Sequence, residues 1–494
     1  EKAVYRRMDR LKEKMKKLYT ISLLVLCIVT TGCSDWLNVA PSNQVNEENL
    51  FSTGNGYRNA LNGVYLDLGT STLYGQNLSW GFMDLIAQYY SPVELNKERV
   101  YYQALNYKFE HTDVKSIISS IWSRSYNNIA NCNNLINQVS NASPSLFEQG
   151  ELEKNMIHGE ALALRAFIHF EILRMFAPAM MKDDHKAYMP YVDVYPTFVP
   201  AYETNEEILK KVVADLKEAK RMLAQCDITE EHREWMAINP RMLGIDLSAG
   251  DIAEEDVFFA FRGYRMNYYA ITAILARVYF WNGEYELAYN EAKEVLDATY
   301  DDDGQKCFSF MEYLELGNNM KDYNSIIMCF FNKTLQEDYE PFITKSSKDV
   351  FYLADFEKGE KELDQRLLED MIGSERSNKY SRKYDIPLGT YGSDMIPGIR
   401  LSEMYYIMGE YFARTNNFIK AGEMLDEVRF NRGIITTNLK NTITTLDGYH
   451  TEMLKDMRKE FVGEGQLFFQ YKRLDKKPAK NAIFVFEKPD NEDV

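Results

Sequence analysis

The sequence predicts a mostly α-helical fold in which antiparallel helix pairs stack side by side and a long, loop-rich insertion interrupts the stack. Two observations carry this expectation. One helix-pair pattern occurs twice at a fixed offset, and the residues between the two copies lose helical periodicity. In the stretch 268–298 the pattern reads Leu275, Ala276, Tyr279, Gly283, Tyr285, Ala288, Ala292 and Val295. In 401–433 it returns, 133 residues later, as Met408, Gly409, Phe412, Asn416, Phe418, Ala421, Leu425 and Val428. Small residues where two helices touch, a turn residue between them and aromatics in the groove match the tetratricopeptide template. Ala276 against Ala288 and Gly409 against Ala421 are expected to let the paired helices approach closely. Because such pairs bury their apolar faces only by stacking on neighbours, they are expected to form one superhelical scaffold.

Other helices follow from apolar spacing. Helices are expected at 55–68, 114–140, 152–176, 205–225 and 449–463, giving further helix pairs near 114–140 and 152–225. Between Asn205 and Gln225, Ile208, Val212, Leu216, Ala219 and Leu223 recur at three- and four-residue steps and make one apolar face. Residues 300–395 alternate short apolar runs, such as Ser325 to Phe331, with Gly, Asp, Asn and Pro, and read as loops with short strands or helices. A second irregular block runs from Ala177 to Thr204.

The N-terminal residues have the three-part form of an export signal. Lys16 and Lys17 precede an apolar stretch containing Leu18, Ile21, Leu23, Leu24, Val25, Leu26, Ile28 and Val29, which Thr31, Gly32 and Cys33 close. The stretch is shorter than the about 20 residues that a spanning helix needs. Residues 1–32 are expected to be an upstream extension plus a lipoprotein signal that is removed. Cys33 is then the lipidation site, with 33–494 as the mature domain. Each buried acyl methylene contributes about 0.8 kcal/mol, so two or three chains hold a protein on a bilayer.

The 494 residues carry a formal charge of −17. Residues 1–32 hold eight basic and three acidic side chains, so 49 basic and 71 acidic residues remain without them, a charge of −22. That excess repels nucleic-acid phosphates, and nucleic acid is not an expected partner. Cys132, Cys226, Cys307 and Cys329 show no CxxC spacing, so no zinc site is expected and free buried thiols are the simple reading. His158, His169, His185 and His232 lack HExxH spacing, no Gly-x-Ser-x-Gly elbow occurs, and Gly54-Asn55-Gly56 lacks the third glycine of a dinucleotide fingerprint. His169, inside an amphipathic helix, reads as a packing residue. Carboxylate pairs such as Glu294 with Asp297 and Glu403 with Glu410 are what an acid-rich chain produces by chance, and the Asp301–Asp303 turn lacks the spaced ligands of an EF-hand. No catalytic residue, metal site or cofactor is expected.

Several segments resemble the SusD/RagB family of nutrient-binding outer-membrane lipoproteins of the Bacteroidetes. They are CSDWLNVAPSNQV at 33–45; Trp122, Tyr126, Ile129 and Asn133; EALALRAFIHFEILRMF at 160–176; IPGIRLSEMYYIMGEYFART at 396–415; and MRKEFVGEGQLFFQYKR at 457–473. Gly463, Gln466 and Ala177 depart from the family pattern. The resemblance implies a SusD-like helical protein packed beside a SusC-like TonB-dependent barrel transporter. Its loop-rich surface would capture oligosaccharide, or in some branches peptide, for delivery inward.

Sugars are gripped by flat aromatic faces with amides and carboxylates nearby. Tyr74 and Trp80, in a loop with Gly75, Gln76, Asn77 and Ser79, are therefore candidate ligand residues, as are Phe310, Tyr313 and Tyr323 of the insertion and Trp122, which the resemblance places near the binding face. Trp80 and Tyr323 are expected to be replaceable by Ala with loss of glycan binding but not of thermal stability. Two other readings fit the repeats: a scaffold that binds only proteins, and a glycoside hydrolase on a helical frame.

Overall fold

A computed structural model describes residues 47–490, except 198–199, 247–249, 252–253, 318, 345–348, 355, 357–363 and 376–377. The signal stretch and Cys33 lie outside the described residues. The chain divides into two units, Glu1–Thr53 and Gly54–Val494. In the first unit the described structure is one helical turn, Glu47–Leu50 (α1). All that follows concerns the second.

The unit is mostly helical, and its long helices match the apolar periodicity. They are Gly54–Leu68 (α2), Thr112–Asn141 (α5), Gly150–Phe176 (α6), Asn205–Asp227 (α7), Tyr268–Asn282 (α9), Tyr285–Asp297 (α10), Leu401–Arg414 (α12), Phe418–Phe430 (α13) and Leu446–Glu460 (α14). Short helices Phe82–Ile86 (α3), Val100–Leu105 (α4), Ile238–Leu243 (α8), Leu335–Tyr339 (α11) and Leu467–Arg473 (α15) were not legible in the periodicity. Two turns of helix or fewer carry too few apolar positions to show a period.

Local chemistry sets the ends. Thr204 and Glu207 form a capping box at the start of α7: the Glu207 amide lies 3.4 Å from Thr204 Oγ1, and the Thr204 amide donates to Glu207 Oε2 at 2.9 Å. Asn267 caps α9 by accepting the Ala270 amide at 2.8 Å. The five apolar positions expected on α7 are all fully buried. Residues 159–176 of α6 are buried without a break, as suits a helix held between neighbours.

The helices pack in the order α5, α6, α7, α9, α10, α12, α13, α14. The two repeat copies, separated in sequence, are therefore adjacent in space. The Tyr289 ring of α10 stacks on Tyr411 of α12, centroids 4.5 Å apart. Gly409 differs from the expectation. A Cβ there would lie 2.2 Å from Tyr449 Oη, so the space it leaves is taken by α14, where the Tyr449 hydroxyl donates to the Tyr406 carbonyl at 2.8 Å.

The insertion is tied to the scaffold by buried charge. Its strands are Ile326–Phe331 (β5), which pairs antiparallel with Met395–Arg400 (β8), and the hairpin of Ile372–Glu375 (β6) with Asn378–Ser381 (β7). Smaller ladders join Ala187–Pro190 (β1) to Tyr202–Thr204 (β2) and Ile245–Asp246 (β3) to Gly250–Asp251 (β4). Arg366 of the insertion reaches Asp456 at 2.7 Å and Glu460 at 3.0 Å on α14, while Lys383 and Arg400 both meet Glu464 at 2.7 Å. Burial alone would raise the Glu460 pKa, but Arg432 and Arg400 hold it well below the usual carboxylate range. Cys132, Cys226, Cys307 and Cys329 are all buried free thiols.

His169 is a packing residue. Its Nε2 accepts the Val192 amide at 2.9 Å, its Nδ1 lies 2.8 Å from the Arg165 carbonyl, and its ring stacks on Tyr191 at 3.9 Å. Burial pushes its pKa from 6.5 down to about 3. The unfolded chain therefore binds this proton first. The stability contributed by the neutral ring is complete above the unfolded value and is lost as pH falls toward the folded one. Urea unfolding should show wild-type stability falling between about pH 6 and about pH 5 by about 1.4 kcal/mol per pH unit more than in His169→Gln; parallel slopes would refute the assignment.

Candidate functional site

A cleft of about 370 Å³ is lined by Asn62, Tyr65, Leu66, Phe261, Tyr264, Arg265, Phe331 and Asp394. That volume lies within the range of small-ligand sites. Three pieces of chain build it. Helix α2 presents Asn62 and Leu66, one turn apart on its exposed face, and Leu66 is 55% exposed. The loop before α9 supplies Phe261, Tyr264 and Arg265, and the insertion supplies Phe331 and Asp394 at adjoining ends of β5 and β8. Gly69 makes the junction possible, because a Cβ there would sit 1.9 Å from the Phe331 carbonyl oxygen.

Phe261 is turned outward by a left-handed backbone (φ +56°), which costs a non-glycine residue about 1–2 kcal/mol. It is held there by its amide donating to the Pro240 carbonyl at 3.0 Å and by its carbonyl accepting the Tyr264 amide at 2.9 Å. Its ring lies over Gly244, itself at φ +64°, where a Cβ would come 2.2 Å from the ring. Phe261 is 40% exposed, and Tyr264 and Phe331 are half-buried. Tyr264 meets Phe261 and Phe331 edge-on, with centroids 6.5 and 6.3 Å away.

The polar edge is equally fixed. Tyr264 Oη donates to Asp394 Oδ1 at 3.4 Å, and burial, then Cys329 and Asp394, raises its pKa, so it remains a phenol. Behind the loop, Glu160 of α6 receives Arg262 at 2.6 Å, Arg265 at 2.8 Å and the Tyr65 hydroxyl at 2.7 Å. Arg262 also meets Asp227 at 2.8 Å. Desolvation would raise the Glu160 pKa, but Arg265 and Arg262, with the hydrogen bonds of Arg262 and Tyr65, bring it below the ordinary value. The cleft thus offers rigid aromatic edges beside an amide and a carboxylate. Among the described residues no cluster of three His, Cys, Asp or Glu is placed to hold a metal.

Comparisons with known proteins agree with this architecture. Residues 35–233 match the family model SusD-like_3, described as "Starch-binding associating with outer membrane". SusD-like protein P2 of Formosa agariphila is 25% identical over 255 residues, 49% of this chain and 46% of that protein, so the alignment spans about half the length of each. A SusD superfamily protein from Bacteroides thetaiotaomicron superposes with TM-score 0.64 at 21% identity, covering 85% of this chain and 89% of that one. A putative sugar binding protein from Bacteroides vulgatus gives TM-score 0.64 at 20% identity, covering 88% and 93%. Residues 35–233 thus resemble the SusD-like model in sequence, and the described fold resembles that of solved SusD superfamily proteins.

Four of the six aromatics expected to face ligand are buried instead. Trp80 is fully enclosed: its Nε1 donates to the Gly75 carbonyl at 2.8 Å, and its ring packs on Tyr339 and Phe342. Tyr74 stacks on Phe330 at 3.9 Å, and Trp122 packs edge-on against Phe176 at 4.7 Å. Tyr323 donates to the Tyr391 carbonyl at 2.8 Å and belongs to the cluster of Met242, Ile326, Cys329 and Met395, on which Tyr264 packs. It supports the cleft from behind. Phe310 and Tyr313 are half-buried, but Phe310 lies against Tyr405 and under the Arg432 guanidinium, and neither lines the cleft. For Trp80 and Tyr323 the expectation fails for a physical reason: an aromatic between polar residues can still pack inward when its one polar atom finds a backbone carbonyl. The missed residues lie in the run FFAFRGY at 258–264, whose four rings in seven residues have no helical period.

The expected harmlessness of the Trp80 change is corrected accordingly. Trp80→Ala should lower stability by about 3–5 kcal/mol through the cavity it opens, measured as a drop in the urea midpoint; a midpoint within error of the parent would contradict this packing.

Proposed function

We propose that this protein captures oligosaccharide in the cleft beside α2 and delivers it to a SusC-like TonB-dependent transporter, held at the outer membrane by lipid on Cys33. One observation carries the reading: Phe261, Tyr264 and Phe331 converge on one rim with Asp394 and Asn62. Sugar rings have apolar faces and hydroxyl edges, and this combination answers both. The family description names starch binding and the outer membrane, and solved neighbours carry the names putative sugar binding protein and SusD-like carbohydrate binding protein. Among the described residues no helix is long and apolar enough to cross a membrane, which suits anchoring through Cys33. The cleft carboxylate, Asp394, is engaged by the Tyr264 phenol and serves recognition; release of intact ligand completes the cycle.

Titration of the purified protein with a panel of neutral oligosaccharides should give saturable binding with no shorter products. Phe261→Ala and Tyr264→Ala should each weaken that binding about tenfold, or about 1.4 kcal/mol, with unchanged circular dichroism. Equal affinity in both variants, or turnover of the ligand, would remove the proposal. For the anchor, intact mass of membrane-extracted protein should show a diacylated chain beginning at Cys33, and an unmodified chain retaining Lys16 would exclude it.

A further inference from the structure

A second cavity, of about 570 Å³, opens where α9 meets α10 and is closed by residues around α12, α14 and α15. Trp281, Arg414, His450, Arg473 and Lys476 line it, and Met180, Met181 and Leu474 form an apolar lip on which Met181 is 60% exposed. Trp281 is 4% exposed, yet among the described residues its indole N–H has no hydrogen-bond partner. A buried donor left unpaired is unfavourable, and an acceptor entering the cavity would relieve it.

The charges around the cavity do not balance. Glu410, wholly buried, receives Arg473 at 2.6 Å and Arg414 at 2.8 Å, with His450 Nε2 3.2 Å away, so one carboxylate serves two guanidinium groups. Lys476 pairs with exposed Asp447 at 2.9 Å. Of the residues lining the cavity, Arg414, Arg473 and Lys476 are permanent cations and Asp447 is the carboxylate, with Glu410 behind the guanidinium groups, in a chain whose net charge is −17. The guanidinium groups lie on aromatic rings, Arg414 3.8 Å over Tyr285 and Arg473 3.8 Å over Phe280. A small excess of positive charge suits a monoanion better than a phosphate dianion.

We propose that this cavity is a second ligand site, separate from the α2 cleft, which takes a small carboxylate-bearing molecule of sugar size. The carboxylate accepts from the Trp281 indole and lies toward Lys476 and His450, while the remainder of the ligand rests on the methionine lip. The assignment does not depend on the glycan cleft.

The test uses the purified protein with nitrogen-labelled tryptophan, and the Trp281 indole N–H resonance is identified by its loss in Trp281→Phe. Sodium D-glucuronate should shift that resonance saturably, D-glucose should leave it unmoved, and Lys476→Met should weaken the glucuronate effect about tenfold. Tyr264→Ala should respond as the parent does, which keeps the two sites distinguishable. No shift with glucuronate, an equal shift with glucose, an unweakened response in Lys476→Met, or stronger competition by inorganic phosphate would overturn the proposal.

Discussion

A carboxylate without water must be surrounded by donors, and Glu160 imposes that requirement at the centre of this fold. It projects from α6 into a fully buried position, where Arg262, Arg265 and Tyr65 meet it. Two of those groups come from the loop before α9 and the third from α2. Satisfying Glu160 therefore fixes the distance between the two walls of the cleft. Asp227 at the end of α7 extends the constraint by holding Arg262 and accepting the Tyr268 amide at 2.8 Å, which sets the start of α9. Removing one partner from such a group strands a buried charge at a cost of about 3–5 kcal/mol, so the loop has little freedom to leave.

The same solution recurs along the helix stack. Glu410 on α12 gathers Arg414 and Arg473, and Glu460 on α14 gathers Arg366 and Arg432. Each node joins segments far apart in sequence, and the Glu460 node binds the insertion to the pairs that follow it. Apolar contacts between helices tolerate sliding, because dispersion has little directionality. Forked guanidinium–carboxylate pairs do not tolerate it. The helices supply burial, and the charged nodes fix which burial is adopted.

Periodicity in the sequence exposed the long helices because each must hide one face over several turns. On α7 the expected stripe of Ile208, Val212, Leu216, Ala219 and Leu223 is wholly buried. The adjacency of the two repeat copies could not be read, since it rests on Tyr289 meeting Tyr411 across a loop-rich excursion of about a hundred residues. The cleft was least legible. Trp80 and Tyr74 sit among amides and small residues, which suggested exposure, but local polarity does not report the direction of a ring. Phe261 faces out because its backbone is left-handed and Gly244 admits its ring, a pairing across 17 residues with no linear signature. Glu160 and Glu460 lie within segments that carried the family resemblance, although their role as charge nodes emerges only in three dimensions.

This division also determines where ligand preference can change. Tyr65 and Arg265 line the cleft but are committed to Glu160, so altering either disturbs the node that holds the loop. Asn62, Leu66 and Phe261 line the same cleft, are exposed, and donate nothing to that node. Substitution at exposed positions away from such networks usually shifts stability by less than about 0.5 kcal/mol. Phe261 is a partial exception, because its φ of +56° and its contact with Gly244 restrict what can replace it. On the proposed reading, Asn62 and Leu66 are the cleft positions freest to change, an aromatic suits position 261, and Glu160 and its partners are constrained. The ion-pair frame lets the recognition surface change without repacking the helices beneath it.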